Sequence, residues 1–150
     1  MANKITWSGS PANATSVLTG NSLGTLGNAA FGIGTTAYDN TSNLDQYASV
    51  TLSLGSITPT GAAYVSLYLI QSNDGSTYED APATTNPAFH QQVATCSVQT
   101  TANTHVISTP WFRIPPNKFK FALYNATGVS FTGGNSSNTA TLYTSDDQVN

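Results

Sequence analysis

The sequence predicts an all-β fold: a jelly-roll-like antiparallel β-sandwich of about eight short strands with a long irregular N-terminal arm. Two observations predict it. Only 7% of the 150 residues are charged and Glu79 is the single glutamate, whereas a soluble helical protein is rich in Glu, Lys and Arg. Ser, Thr and Asn number 17, 23 and 14. Because Thr favours strands and Ser and Asn favour turns, many short strands joined by loops are expected.

The first quarter of the chain shows no strand or helix period. In residues 8–43, apolar side chains are scattered irregularly among Gly, Ser, Asn and Thr. A stretch of this length without regular structure is uncommon in a compact domain unless it is functional or lies on a partner. We predict that residues 1–43 form an arm or irregular loops and that residues 44–150 form the β-sandwich domain. Two short strands hidden in the stretch are an equal alternative.

Clear strand patterns begin after residue 44. Residues 50–54 alternate apolar and hydroxyl side chains, as a half-buried strand does. Residues 62–71 are apolar on both faces, which predicts a central strand. The Asp-Gly pair at 74–75 predicts a tight turn, and residues 77–78 would begin the return strand.

The second half of the sandwich contains the most regular strand. Residues 118–124 alternate strictly, so Phe119, Phe121 and Leu123 are predicted to point into the core. Pro110 divides another strand into two parts, because proline cannot donate to a central ladder. The remaining predicted strand segments are residues 4–7, 91–99, 105–107, 111–114, 129–131 and 139–144.

Charge and hydropathy exclude several classes of function. Four basic residues and a net charge of −3 provide too little positive charge to neutralise a phosphate backbone, so we expect no nucleic-acid partner. No apolar run approaches the length of a membrane span and no secretory signal is visible, so we expect no membrane partner and synthesis in a cytoplasm. Cys96 is the only cysteine, so no internal disulfide can form.

No group of residues forms a recognisable reaction centre. His90, Cys96 and His105 lack the spacing of a nucleophile motif or a metal site. Acidic residues around the 74–75 turn could contribute oxygen ligands to calcium, but solvated turn carboxylates are the simpler interpretation. We therefore predict that the chain is not an enzyme and binds no cofactor. Four Asn-x-Ser/Thr acceptor patterns occur, as expected by chance in this composition: Asn13, Asn40, Asn125 and Asn135.

Large aromatic side chains allow two interpretations. Trp and Tyr present an apolar face beside a polar group, so they could form a platform on which sugars stack. The favoured interpretation is that they fill the core and interfaces, where large aromatics are usually found. The residues concerned are Trp7, Tyr38, Tyr47, Tyr64, Tyr68, Tyr78, Trp111 and Tyr124.

Four segments carry a resemblance to a known family: residues 50–55, 64–69, 72–78 and 113–121. Over about residues 44–143 the chain resembles the small capsid decoration (cement) proteins and related virion proteins of tailed bacteriophages. The resemblance implies a non-enzymatic, β-rich homo-oligomer, a dimer or trimer, whose partner is the major capsid protein. It implies a location on the capsid exterior of the virion and synthesis in the host bacterial cytoplasm.

Candidate shell-binding residues come from the predicted arm and from a basic strand. Single apolar residues in an irregular arm could lie across a neighbouring subunit and order on binding. Lys118 and Lys120 leave the same face of one strand, where they either protect a sheet edge or form a basic patch for an acidic partner. The candidates are Leu18, Leu23, Leu26, Phe31, Ile33, Arg113, Lys118 and Lys120.

A carbohydrate-binding jelly roll on a phage head fibre or tail is the alternative function, attaching the particle to the host surface. Exposed Trp or Tyr side chains in a groove would favour it. An enzyme would instead need an organised polar pocket around His90, His105 or Glu79, and no spacing in the sequence predicts one. The hydroxyl- and amide-rich surface suits a cement protein, because such groups can be buried against a partner without desolvating charges.

Overall fold

A computed structural model describes residues 5–7, 12–18, 23–81, 89–134 and 136–149. These residues form an all-β sandwich of two antiparallel five-stranded sheets and a separate two-stranded ribbon, which confirms the predicted class. Over the same ranges there is no α-helix, and the single helical turn is a 3-10 turn at Phe89–Gln91. In the described part of the chain, no helix has the length and apolar character needed to cross a membrane.

The strands are numbered in chain order. They are β1 (Ile5–Trp7), β2 (Ala12–Leu18), β3 (Ala30–Ile33), β4 (Tyr38–Asp39), β5 (Tyr47–Ile57), β6 (Tyr64–Ser72), β7 (Gln92–Ser97), β8 (Asn103–Ser108), β9 (Phe112–Arg113), β10 (Lys118–Ala126), β11 (Thr139–Ser145) and β12 (Asp147–Val149).

The two sheets of the sandwich are built from strands that are distant in the chain. Sheet I has the order β3-β10-β6-β7, and β4 pairs with the beginning of β10. Sheet II has the order β2-β11-β5-β8, and β9 pairs with the beginning of β5. Strands β1 and β12 pair only with each other in the described structure. The chain crosses repeatedly between the sheets, so neither sheet is a simple meander.

The core lies between the sheets and follows from strand alternation. On β10, Phe119, Phe121 and Leu123 are fully buried, as the alternating pattern predicts. They meet the inward side chains of β6 in sheet I and of β5 and β11 in sheet II. Those facing residues are Val65, Leu67, Leu69, Val50, Leu52, Leu54, Ala140 and Leu142. Strand β6 is central, between β10 and β7, which agrees with its two apolar faces.

The described part of residues 1–43 contributes strands to the sandwich, which agrees with the alternative of hidden short strands and not with irregular loops. Strand β2 pairs with β11 in sheet II, and β3 and β4 pair with β10 in sheet I. Leu18, Leu23 and Leu26 are buried in the core. Their packing partners are far away in the chain, so no local period could indicate them. Residues 1–4, 8–11 and 19–22 of the predicted arm lie outside the described residues.

Two predicted strand segments do not join the sheets. Residues 77–78 are irregular, and only Glu79 returns to β6, through its backbone N–H to the carbonyl of Gln71 at 3.1 Å. Strand β10 pairs along all of β6 and β7 pairs with Tyr64–Tyr68, so only the last residues of β6 have an edge to which the returning chain can bond. Residues 129–131 are also irregular, although Phe131 is buried in the core.

Fully buried asparagines hold the connecting loops. The Asn125 side-chain amide donates to the carbonyls of Leu26 and Val129 at 3.1 and 2.9 Å, and the Asn138 amide donates to Thr132 at 2.9 Å. Buried polar groups are stable only when they are paired in this way. Two of the acceptor patterns for glycosylation, at Asn40 and Asn125, therefore belong to side chains that are fully buried.

Candidate functional site

The outward face of sheet I carries a cluster of aromatic side chains, which we call the aromatic face. On β6 the core takes Val65 and Leu67, so alternation turns Tyr64, Ser66 and Tyr68 to the other side. Tyr124 of β10 and Phe31 of β3 extend the same surface, since the two are register partners. The cluster is separate from the sandwich core and includes Tyr68, Ile70 and Ala122 as its buried members.

A depression of about 390 Å³ lies in this face, and we call it the aromatic depression. Strand register explains its position. Ser66 is opposite Tyr124 on β10 and Thr95 on β7, and the larger Tyr64 and Tyr68 flank it along its own strand. A small residue surrounded by large ones leaves a hollow above it. The lining residues are Phe31, Tyr64, Ser66, Tyr68, Phe89, Gln92, Thr95 and Tyr124.

The aromatic rings contact one another at its wall. The Phe31 ring centroid lies 4.8 Å from that of Tyr124 and 5.4 Å from that of Tyr68, the latter edge-to-face. The Tyr64 and Tyr124 centroids are 6.4 Å apart. Tyr68 is 4% exposed at the base, whereas Tyr64 is 38% exposed and Phe89 is 74% exposed. The wall is therefore held by ring contacts, and aromatic surface remains accessible to a ligand.

Uncharged polar groups line the side of the depression formed by β7. The hydroxyls of Ser66 and Thr95 are 2.8 Å apart, and the Gln92 side-chain amide donates to the Thr95 hydroxyl. A hydroxyl has one donor and two acceptor sites, so this chain keeps hydrogen-bonding capacity beyond its internal bonds. None of the described residues that line the depression carries a formal charge at neutral pH.

Burial also keeps the base of the depression neutral. Desolvation, followed by the influence of Tyr64 and Tyr124, raises the pKa of Tyr68 above its ordinary value. Lys120 lies on the same strand as Tyr124, and its ammonium is 4.2 Å from the centroid of the Tyr78 ring. The depression therefore combines apolar rings with neutral hydrogen-bonding groups, which suits a neutral ligand with both kinds of surface.

A second depression, of about 350 Å³, brings together Glu79, His90 and Arg113. Both oxygens of Glu79 accept hydrogen bonds, at 3.1 Å from Gln71 and at 2.9 Å from Gln91. The bond from Gln91 is the main cause that holds the pKa of Glu79 below its usual value. An ionised carboxylate that accepts two hydrogen bonds is poorly suited to act as a general acid. Among the lining residues that the structure describes, none other than Glu79 carries a hydroxyl, thiol or carboxylate.

The other candidate catalytic and metal-binding residues do not come together in one site. Cys96 is half-buried against the core, and burial raises the pKa of its thiol, which disfavours the reactive thiolate. The carboxylate of Asp74 accepts hydrogen bonds from the backbone of Ser76 and Thr77 within its own turn. Across the described ranges, no three His, Cys, Asp or Glu side chains are grouped so that they could hold a metal ion.

The predicted shell-binding residues fall in three places. Leu18, Leu23 and Leu26 are buried in the core, where packing accounts for them. Phe31, Ile33, Lys118 and Lys120 belong to strands of sheet I and lie on or beside its outward face. The ammonium of Lys118 is 3.2 Å from the carboxylate of Asp39. Arg113 belongs to sheet II, where its guanidinium lies 5.8 Å from the ring centroid of Tyr47.

The outward face of sheet II is different, and we call it the hydroxyl face. Its side chains are half-buried or exposed, uncharged and mostly hydroxylated, and Thr51 is hydrogen-bonded across β5 and β8 to Ser108 at 2.9 Å. Val106 beside them is 71% exposed. The residues of this face are Thr51, Ser53, Val106, Ser108, Thr139, Thr141 and Tyr143.

Sequence reasoning found part of the aromatic depression. Tyr64, Tyr68 and Tyr124 were among eight candidates for a sugar platform, but Tyr38 of that set is in the core. The side chain of Trp7 lies outside the described residues. The polar side of the depression was missed, together with Phe31 and Phe89 as members of it. The Tyr-x-Ser-x-Tyr pattern of residues 64–68 is the signal that could have indicated a hollow between two rings.

No protein-family model, no curated protein and no solved structure matches this chain.

Proposed function

We propose that this chain is a non-enzymatic structural protein of a bacteriophage virion, a decoration or cement protein on the outer surface of the icosahedral head. In this proposal it binds the major capsid protein, bridges shell subunits and acts as a homo-oligomer, a dimer or trimer. The resemblance described above supports the proposal. Its segments 50–55 and 64–69 lie in β5 and β6, and segment 113–121 runs from the end of β9 into β10. Strands β5, β6 and β10 each have neighbours on both sides, whereas β9 is a short strand that pairs only with the beginning of β5.

A jelly-roll-like connectivity is part of the proposal. The chain passes from β5 in sheet II to β6 and β7 in sheet I, then to β8 and β9 in sheet II, then to β10 and finally β11. This repeated crossing between two packed antiparallel sheets is typical of jelly rolls and related Greek-key sandwiches. Shell and virion proteins commonly use such folds.

The hydroxyl face is the observation that carries the proposal. Interfaces between proteins are depleted of charged residues at their centre, because a charge that loses water must be paired to be stable. Thr51, Thr141 and Ser108 present hydroxyl groups instead, on a regular pleated surface with Val106 exposed among them. We assign the shell contact to this face, with Arg113 at its end as the predicted residue nearest to it.

Repetition strengthens a weak contact of this kind. A shell presents the same site many times, so an oligomer that binds several copies at once gains effective concentration without any new interaction. A protein that binds only the assembled shell must also stabilise it, because ligand binding to one state shifts the equilibrium towards that state.

The first test is the copy number of this chain in purified particles, measured by quantitative mass spectrometry relative to the major shell protein. A ratio comparable to the shell protein is expected for decoration. A few copies per particle would move the chain to a tail or fibre, and absence from particles would refute the virion proposal.

The second test introduces the same charge on each outer face. Stripped heads are mixed with wild type, Thr141→Asp or Thr95→Asp, sedimented, and then heated. We expect Thr141→Asp to lose both binding and heat protection, and Thr95→Asp, on β7 of sheet I, to retain both. The reverse result would transfer the shell contact to the aromatic face, and equal melting of decorated and stripped heads would contradict cementing.

A carbohydrate-binding module of a head fibre or tail is a second candidate. The aromatic depression favours it, because the exposed Tyr64 and the half-buried Tyr124 line a hollow with polar groups beside them.

A further inference from the structure

We propose that the aromatic depression binds a hexopyranose unit of a neutral glycan. The inference does not depend on capsid decoration, because the depression lies on the outward face of sheet I. The hydroxyl face lies on the other sheet, with the core between them. A chain attached through sheet II would therefore direct the depression away from the shell.

The depression offers groups that suit both the C–H face and the hydroxyl rim of a sugar ring. A pyranose has faces formed by C–H groups and a rim of hydroxyl groups. Rings such as Tyr64 and Tyr124, whose centroids are 6.4 Å apart, provide apolar surface against which a C–H face can stack. Ser66, Thr95 and Gln92 provide hydroxyl and amide groups that can exchange hydrogen bonds with the rim.

The described lining residues are all uncharged, and this favours a neutral ligand. Single-stranded nucleic acid also stacks on aromatic rings, but it requires basic side chains for its phosphates. The nearby Lys120 ammonium lies over the ring of Tyr78 instead of facing the hollow as an isolated cation. An acidic sugar would need a cationic partner for the same reason. A neutral hexose requires none.

The polar side of the depression disfavours a purely apolar occupant. An aliphatic or aromatic peptide side chain placed over Ser66 and Thr95 would remove water from their hydroxyls without replacing its hydrogen bonds. The volume of about 390 Å³ lies in the range of small-ligand sites, which is about 300–1,000 Å³. One ring with its neighbouring linkages is therefore the size of ligand that this site would take.

The test uses the full chain and soluble tetrasaccharides of glucose, mannose and galactose, with an oligogalacturonate as the acidic comparison. Binding is measured by calorimetry and by shifts of backbone amide signals in NMR spectra. We expect a neutral tetrasaccharide to bind with a Kd below about 10 mM, with the largest shifts at residues 64–68 and 92–95. No binding of any neutral sugar, or binding of the acidic oligomer alone, would overturn the proposal.

Three variants locate the site. Tyr124→Ala removes a stacking ring and Thr95→Leu fills the polar side, and each is expected to weaken binding at least tenfold. Tyr143→Ala is the matched control, because it removes a tyrosine from the hydroxyl face. Thermal unfolding checks that each variant is folded. Because Thr95 is exposed, Thr95→Leu is the variant expected to disturb folding less. Affinity unchanged in folded Thr95→Leu, or lost in Tyr143→Ala, would refute the assignment.

The result separates this inference from the decoration proposal. Sugar binding by wild type with no binding to heads would leave the glycan site in place and remove the cement function. Binding to heads that is lost in Tyr124→Ala but retained in Thr141→Asp, with no sugar binding by wild type, would make the aromatic face the shell contact and would overturn the glycan site.

Discussion

The two outward faces of the sandwich rest on one core but present different chemistry to the solvent. On sheet I, β6 turns Tyr64 and Tyr68 outward. Tyr68 belongs to a second small apolar cluster, and the Tyr64 ring contacts Tyr124 at its border. On sheet II, β5 turns Thr51 and Ser53 outward, and the cross-strand contact is a hydrogen bond between hydroxyls. The same pleat can thus support a ligand-sized hollow or a continuous polar surface, depending on which residues occupy its outward positions.

The difference also separates two kinds of contribution to stability. Aromatic residues on the outside of sheet I bury apolar area against each other, so their loss should weaken folding as well as any binding. When the protein folds, the hydroxyls on sheet II exchange hydrogen bonds with water for similar hydrogen bonds with each other. These pairs therefore contribute little to the free energy of unfolding. Changes placed in the core, on each face and in a charged turn test this ranking.

The largest effect is expected in the shared core. Phe121 is fully buried, and its ring centroid is 5.5 Å from that of Phe119 and 6.2 Å from that of Phe112. Phe121→Ala should lower the free energy of unfolding by about 3–5 kcal/mol, because it removes apolar contacts and leaves a cavity. Urea denaturation measures this change. A loss below about 1 kcal/mol would contradict a core shared by both sheets.

A smaller effect is expected at Phe31 on the aromatic face. Phe31→Ala removes ring contacts with Tyr68 and Tyr124 from a partly buried side chain, so we expect a loss of about 2 kcal/mol in urea denaturation. Phe89→Ala is the control, because that ring is 74% exposed and its loss should change stability by no more than about 0.5 kcal/mol. Equal losses of stability in both variants would show that the partly buried Phe31 ring contributes no more to folding than the exposed Phe89 ring.

Acid sensitivity should come from carboxylates whose pKa is lowered in the folded protein, and Asp74, in the turn after β6, is one of them. Backbone N–H groups of Thr77 and Ser76 hold the pKa of Asp74 well below its ordinary value. A carboxylate whose folded pKa is depressed stabilises the fold above its unfolded pKa, and this contribution is lost as pH falls through the folded value. We expect Asp74→Asn to lower Tm at neutral pH and to flatten the decline of Tm below about pH 4.

Measuring Tm of wild type and Asp74→Asn from neutral to acid pH checks this prediction. Glu79, whose pKa is also lowered, contributes a decline with the same sign, so the variant should retain part of the slope. Parallel Tm curves for the two proteins would show that the hydrogen bonds of Asp74 do not couple to folding.

The smallest effect is expected on the hydroxyl face. Thr51→Val keeps the β-branched shape and removes only the hydroxyl that lies 2.9 Å from Ser108. We expect a change within about 0.5 kcal/mol in urea denaturation, since strand propensity is retained. Ser66→Val, which removes a buried hydroxyl bonded to Thr95, is the comparison on sheet I. A loss larger at Thr51 than at Ser66 would reverse the ranking of the faces.

Local alternation and composition were sufficient to predict much of this protein. The pattern of residues 118–124 predicted β10 and its three buried side chains, and the two apolar faces of residues 62–71 predicted the central position of β6. The scarcity of charge and the excess of Ser, Thr and Asn predicted an all-β fold. These properties are readable because a strand repeats every two residues and its pattern needs no distant partner.

Only the tertiary structure decided where the early strands lie and which side chains form the depression. Strands β2 and β3 are recognisable through their pairing with β11 and β10, and the burial of Leu23 depends on contacts from the distant chain. The hollow above Ser66 exists because register places Tyr124 on one side and Thr95 on the other. Strand register is set by core packing between residues that are far apart in the sequence. A short-range pattern therefore shows which side chains alternate along one strand, but it does not show which residues lie opposite them.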